Sequence, residues 1–167
     1  MLVIGIDPGT ATTGYGVIEE QGDKSLHLKE HGAIRTSSRM NADKRLQVLH
    51  DKLIEVLQRW RPQCAAVEKL YFQQNVRTAL QVGEARGVIM LALAESSIPV
   101  FEYNPMDVKL AVTGYGMADK NQVQQMVKML LCLSEIPKPD DAADALAIAI
   151  CHAHSARLNS LDAFNDN

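Results

Sequence analysis

The sequence predicts an α/β protein: a mixed five-stranded sheet flanked by helices on both faces. Three observations carry this. Apolar runs at 2–7, 14–20 and 25–35 are separated by close turns. After residue 41 the apolar spacing changes from strand-like to helical. From there helical segments alternate with short apolar runs, giving the order β-β-β-α-β-α-β-α-α-α.

The first run, Leu-Val-Ile-Gly-Ile-Asp at 2–7, ends at Pro8-Gly9 and reads as a buried strand before a turn. Residues 14–20 and 25–35 follow as antiparallel neighbours, with Gln21-Gly22-Asp23 as the turn between them. Asn41 or Asp43 can cap a helix running to about Trp60, because Leu46, Leu49, Leu53, Leu57 and Trp60 line one helical face. Pro62 stops it. A fourth strand covers 64–68. A second long helix covers 75–95, and a fifth strand covers 98–103. A short helix over 104–112, a Thr-Gly-Tyr-Gly loop at 113–116, and a helix over 119–132 come next. Pro137 and Pro139 interrupt. Asp140 is then assigned as the cap of a last helix ending near Arg157, and 158–167 is expected to be a loose tail.

The chain has 167 residues, 47 % of them hydrophobic and 22 % charged, which is ordinary for one globular domain. Three cysteines without a C-x-x-C pair give neither a disulfide framework nor a zinc motif. No apolar run is long enough for a membrane span, and the N-terminus lacks a basic leader. These readings point to a cytoplasmic protein with no membrane partner.

Four acids stand out. Asp7 and Glu68 each end an apolar strand, where an unpaired carboxylate is costly to bury. In open α/β sheets, ligands bind beyond the carboxyl ends of strands. Asp141 and Asp144 are three apart at a helix start and share a side. Taken singly, each reads as a turn residue, a cap or a member of an ion pair, with Lys69 or Arg86 as partners for Glu68. Taken together, four converging carboxylates would repel strongly unless divalent cations relieve them. All-oxygen ligands suit magnesium, with manganese as a substitute. Two such ions suit in-line displacement at a phosphate.

Gly5-Ile6-Asp7-Pro8-Gly9-Thr10, Gly14-Tyr15-Gly16-Val17, Val67-Glu68, Ala85-Arg86-Gly87 and Asp141-Ala142-Ala143-Asp144-Ala145-Leu146-Ala147 strongly resemble the RuvC family of Holliday-junction resolvases. The likeness spans about residues 1–155, and the Asp-Ala-Ala-Asp-Ala-Leu-Ala segment is its most specific part. It implies a ribonuclease-H-like nuclease domain over 1–157 and a homodimer. It implies magnesium-dependent, paired, symmetric nicking of four-way DNA junctions in recombination and repair. A junction-binding protein and a branch-migration helicase of the RuvA and RuvB type are the expected partners. Asp7, Glu68, Asp141 and Asp144 fall on the family's catalytic, metal-binding positions. Lys109 and Lys120 fall on positions linked to DNA contact and catalysis. Tyr71 falls where the family stacks a ring on a junction base, and the adjacent Phe72 can share that task. Lys69, Arg77 and Arg86 complete a basic set for phosphate contact.

The net charge of −3 fits this reading once its distribution is considered. Residues 135–167 carry six acids and two bases, while residues 1–134 carry 15 bases and 14 acids. Two magnesium ions would bring the subunit to +1. His152 lies eight residues beyond Asp144, about 12 Å along a helix, too far to share an ion. Both His152 and His154 are therefore read as surface or core histidines.

Three rivals remain at this point. Actin-like ATPases and sugar kinases share an Ile-Asp-x-Gly-Thr turn but need two such domains, and this chain has no G-x-x-x-x-G-K-[ST] loop. A same-fold nuclease acting on structured RNA is the second. A non-catalytic DNA-binding module, with the acids as mere caps, is the third.

Overall fold

The structure is a computed structural model and describes residues 1–9, 11–69 and 76–165, without the side chains of 76–78 and 158–165. The element order is the expected one: β1 (Leu2–Asp7), β2 (Thr12–Glu20), β3 (Leu26–Arg35), α1 (Ala42–Trp60), β4 (Cys64–Glu68), α2 (Val76–Glu95), β5 (Val100–Tyr103), α3 (Pro105–Thr113), α4 (Lys120–Leu130) and α5 (Asp140–Asn165).

One sheet holds all five strands in the order β3-β2-β1-β4-β5. The first three form an antiparallel meander, and β4 and β5 join in parallel with β1. Two helical crossovers explain the change of direction, since parallel neighbours cannot be joined by a tight turn. β1 is central and therefore apolar on both faces: Val3, Ile4 and Ile6 are fully buried.

Alternate residues sort the core into two layers. Ile4, Ile6, Val17, Ala65 and Val67 face α1 and α2, meeting Leu53, Leu57, Ile89 and Leu93. Val3, Ile18, Cys64 and Ala66 face the other way, toward α3, α4 and α5. Each buried Leu or Ile contributes about 1.5–3 kcal/mol of transfer free energy.

Glycines in the meander admit α5 to the sheet. A Cβ at Gly5 would stand 2.0 Å from the Ala145 carbonyl oxygen, and one at Gly14 would stand 1.9 Å from that of Asp141. On the helix side the contact is made by small residues, with Ala142, Ala145 and Ala149 all fully buried. Glycine in a strand interior often marks such close backbone approach.

Three boundaries differ from expectation. β5 begins at Val100, because Pro99 has no N–H to give the ladder; its carbonyl still accepts from Ala65 N–H at 2.9 Å. α5 runs past Arg157 to Asn165, so most of the expected loose tail is helix. Asp140 is not a cap but the first helical residue. The Pro139 carbonyl accepts from the Ala142 N–H instead, and the Asp140 carboxylate turns to Lys120. Among the described residues no helix is long and apolar enough to cross a membrane.

Candidate active site

Strand pairing brings the first two acids together. β1 and β4 run parallel with Ile6 opposite Val67, so Asp7 and Glu68 end adjacent strands at the same edge. Neighbouring strands lie about 4.8 Å apart. β2 supplies the next link, since Asp7 is paired with Gly14, and Gly14 lies directly beneath the Asp141 backbone. The first turn of α5 is thereby seated over the end of β1. Asp144, one turn on, shares that side. A helix N-terminus favours nearby negative charge, which eases the placement of these acids there.

The mutual effect is visible in Asp7. Burial, then the charges of Glu68, Asp144 and Asp141, push its carboxyl up to about 8, with Lys120 acting in the opposite direction. Burial and the charge of Asp144 likewise raise Glu68, against the pull of Lys109. Burial raises Asp144 too and outweighs the Lys120 ammonium. A carboxyl buried among three others resists ionisation because each added charge repels the rest.

Two lysines face this cluster. Lys120 Nζ lies 3.0 Å from Asp144 Oδ2 and 3.5 Å from Asp140 Oδ2. Burial disfavours its charge, but the hydrogen bond to Asp144 and the charges of both acids prevail and raise it. Lys120 opens α4, held there by a capping box in which Asp119 accepts from Gln122 N–H at 2.9 Å and Gln122 Oε1 accepts from Asp119 N–H at 2.9 Å. Lys109, on α3, is close enough for its charge to act on Glu68.

The sequence missed the part played by Asp140. Its signal was available: a third acid in the same helical turn, with a lysine at the head of the preceding helix.

Four carboxylates offer only hard oxygen donors, which suits magnesium or manganese. As they stand, no three His, Cys, Asp or Glu side chains among the described residues are set to hold an ion. The acids converge as a charge cluster, with Lys120 lodged on Asp144, and not as a closed cage. The donor chemistry fits a divalent cation, and the repulsion stored on Asp7 is what such a cation relieves.

The remaining sequence candidates divide. Lys69 is exposed at the end of β4, its N–H donating to the Tyr103 carbonyl. Arg86 pairs with Glu102 and not with Glu68. Tyr71 and Phe72 lie outside the described residues, and for Arg77 only the backbone, within α2, is described. His152 is a core histidine: its Nε2 is 3.2 Å from Cys64 Sγ and its Nδ1 is 2.7 Å from the Tyr103 hydroxyl. His154 Nδ1 lies 3.0 Å from the Ala111 carbonyl.

Comparison with known proteins now decides the family. Residues 3–152 match the family described as crossover junction endodeoxyribonuclease RuvC. The chain belongs to the RuvC family. A relative of that description in Pelotomaculum thermopropionicum is 56 % identical over 154 residues, covering 92 % of this chain and 93 % of its own. Thermus thermophilus RuvC, solved in complex with a Holliday junction substrate, is 39 % identical, with a TM-score of 0.87 over 95 % of this chain and 96 % of its own. The yeast mitochondrial Holliday junction resolvase Ydc2, at 17 % identity and a TM-score of 0.67, covers 97 % of this chain and 83 % of its own, and shares the fold. The fold is ribonuclease-H-like, as the RuvC resemblance implied. Membership also removes the kinase-like reading and that of a non-catalytic module.

Proposed function

We infer that this chain is a crossover junction endodeoxyribonuclease, a hydrolase that resolves four-way DNA junctions by paired symmetric nicks in recombination and repair. The observation that carries the reading is the gathering of Asp7, Glu68, Asp141 and Asp144 at one end of the sheet in a chain of the RuvC family, with Asp7 pushed up to about 8 by burial first and then by the charges of the other three.

Asp7, Glu68, Asp141 and Asp144 would hold the cations, two magnesium ions per subunit, with manganese as a substitute. When bound, these ions supply charge neutralisation at the phosphate and activation of the attacking water. The protein supplies the rest. Asp7, on the central strand and acted on by the charges of all three other acids, would be the ligand the ions share. Glu68 and Asp144 flank it, and Asp141 orients the water or adds a ligand. The Lys120 ammonium, 3.0 Å from Asp144, is placed to offset negative charge developing on the phosphate. Lys109 does the same from the Glu68 side. Lys69, Arg77, Tyr71 and Phe72 extend the DNA contact beyond the acids.

A homodimer follows from the two-fold symmetry of a junction cut in two places. The outer face of α2 supports it. Leu80 and Leu91 stand exposed there, and Gly83 and Gly87 between them have nothing within 4 Å of a built Cβ. The nuclease unit, expected over 1–157, carries its last helix on to Asn165. RuvA- and RuvB-type proteins are its proposed partners, and the cytoplasm its proposed location.

The test is cleavage of a synthetic four-way junction, a matched duplex and an RNA stem-loop, each with magnesium and with chelator. Opposed nicks in the junction alone, dependent on metal, are expected. Equal cutting of the duplex or the RNA, or none with any metal, overturns the reading.

A further inference from the structure

Between the two lysines of the site lies an apolar surface that the acid chemistry does not use. Met106, Leu110, Tyr115 and Met117 are 61 %, 55 %, 59 % and 71 % exposed. Met106 and Leu110 are four apart on α3 and share one side, bordered by Lys109. Tyr115 and Met117 sit on the loop joining α3 to α4, and Lys120 begins α4 three residues later. The helix and the loop form one patch, because Gly116 packs on Met106: a Cβ there would meet Met106 Cγ at 3.0 Å.

The loop is braced. Gly114 adopts a left-handed φ of 74°, its N–H donating to the Leu110 carbonyl at 2.8 Å. The Thr113 hydroxyl donates to the Lys109 carbonyl at 2.8 Å and accepts from the Tyr115 N–H at 3.1 Å. The Ala118 N–H donates to the Tyr115 carbonyl at 3.1 Å, Ala118 is buried, and the Asp119 capping box follows. A ring and a thioether are thus held outward on a fixed frame. Clustered apolar side chains left in water mark an interaction surface.

We propose that Tyr115 and Met117, backed by Met106 and Leu110, form a platform that takes the sugars and base faces of the DNA strand running past the carboxylates. This rests on the junction-nuclease reading. The occupant is nucleic acid because the patch is flanked by two cations that act on the acid site, Lys109 on Glu68 and Lys120 at 3.0 Å from Asp144. A strand whose phosphate reaches the acids must pass these ammonium groups. Its unpaired bases at the crossover then meet an aromatic ring, on which any base can stack, and a thioether that can wedge into an opened base step.

The test compares wild type with Tyr115→Ala, Met117→Ala, the double variant and Tyr115→Phe, using a four-way junction carrying 2-aminopurine beside the crossover. Thermal melting of each variant checks the fold. The double variant is expected to bind the junction roughly five- to a hundredfold more weakly, and Tyr115→Phe to bind like wild type. The dependence of affinity on salt is expected to keep its slope in the double variant, whereas Lys109→Ala reduces the slope by about one. Fluorescence quenching on binding is expected to fall in Tyr115→Ala. A double variant that binds and cuts like a competent wild type overturns the platform alone. Unchanged junction affinity with loss of a protein contact assigns the surface to a protein and also overturns it. A wild type that neither binds nor cuts junctions overturns the functional reading beneath it.

Discussion

Gly14 lies directly beneath Asp141: a single methyl group on the glycine would stand 1.9 Å from the Asp141 carbonyl oxygen. Gly14 is also the strand partner of Asp7. One close approach therefore sets the distance between the acid on β1 and the acids on α5. Gly14→Ala is expected to lift the helix from the sheet, costing about 1–3 kcal/mol from overpacking. Cleavage should fall further than stability alone explains. Folded protein with full cleavage would show that the acids tolerate the displacement.

The raised Asp7 carboxyl predicts a pH-dependent cost. Between its ordinary value of 3.8 and about 8, the unfolded chain has released this proton and the folded chain has kept it. Stability attributable to this group therefore falls as pH rises through that window. In chelator, Asp7→Asn is expected to melt higher than wild type at pH 8, by about 2–4 °C per kcal/mol gained. The gain should shrink toward pH 4, and magnesium should reduce it at pH 8 by stabilising wild type. Melting curves across pH, with and without magnesium, check this.

Lys120 touches Asp144 and opens a well-capped helix, so its side chain can be removed without disturbing the frame. Lys120→Ala is expected to lower turnover about a hundredfold or more, as loss of a preorganised charge at a phosphate does, and to lower junction affinity much less. Single-turnover cleavage beside direct binding separates the two. Equal losses would make Lys120 a phosphate anchor only.

Tyr71→Ala is expected to slow junction cleavage while the melting temperature stays unchanged, since a ring that stacks on a base contributes roughly 1–3 kcal/mol to the bound state. A lowered melting temperature with normal cleavage would place the ring in the core instead.

Much of this arrangement was legible in the sequence, for physical reasons. Strand runs ending in an acid put Asp7 and Glu68 at one sheet edge once β1 and β4 pair in parallel. The i, i+3 spacing put Asp141 and Asp144 on one side. Less legible was how α5 finds its seat. The glycines at 5 and 14 were visible, and so were the small residues Ala142, Ala145 and Ala149, but their complementarity exists only when two distant segments meet. Asp140 looked like a cap because its partner, Lys120, is 20 residues away in sequence and adjacent only in space. The full extent of α5 was hidden because the polar residues after Arg157 read as a loose end, although no proline or glycine stops the helix there. Arg86 looked available to Glu68, but the neighbouring strand offers it Glu102 first.

The central claim is that the carboxylate cluster around Asp7 cuts DNA and does not merely cap and brace the fold. It is tested most directly by giving Asp7→Asn an intact four-way junction in magnesium and following binding and strand scission together. The account predicts a stable complex with scission slowed by several orders of magnitude; a variant that binds and nicks at the wild-type rate would contradict it.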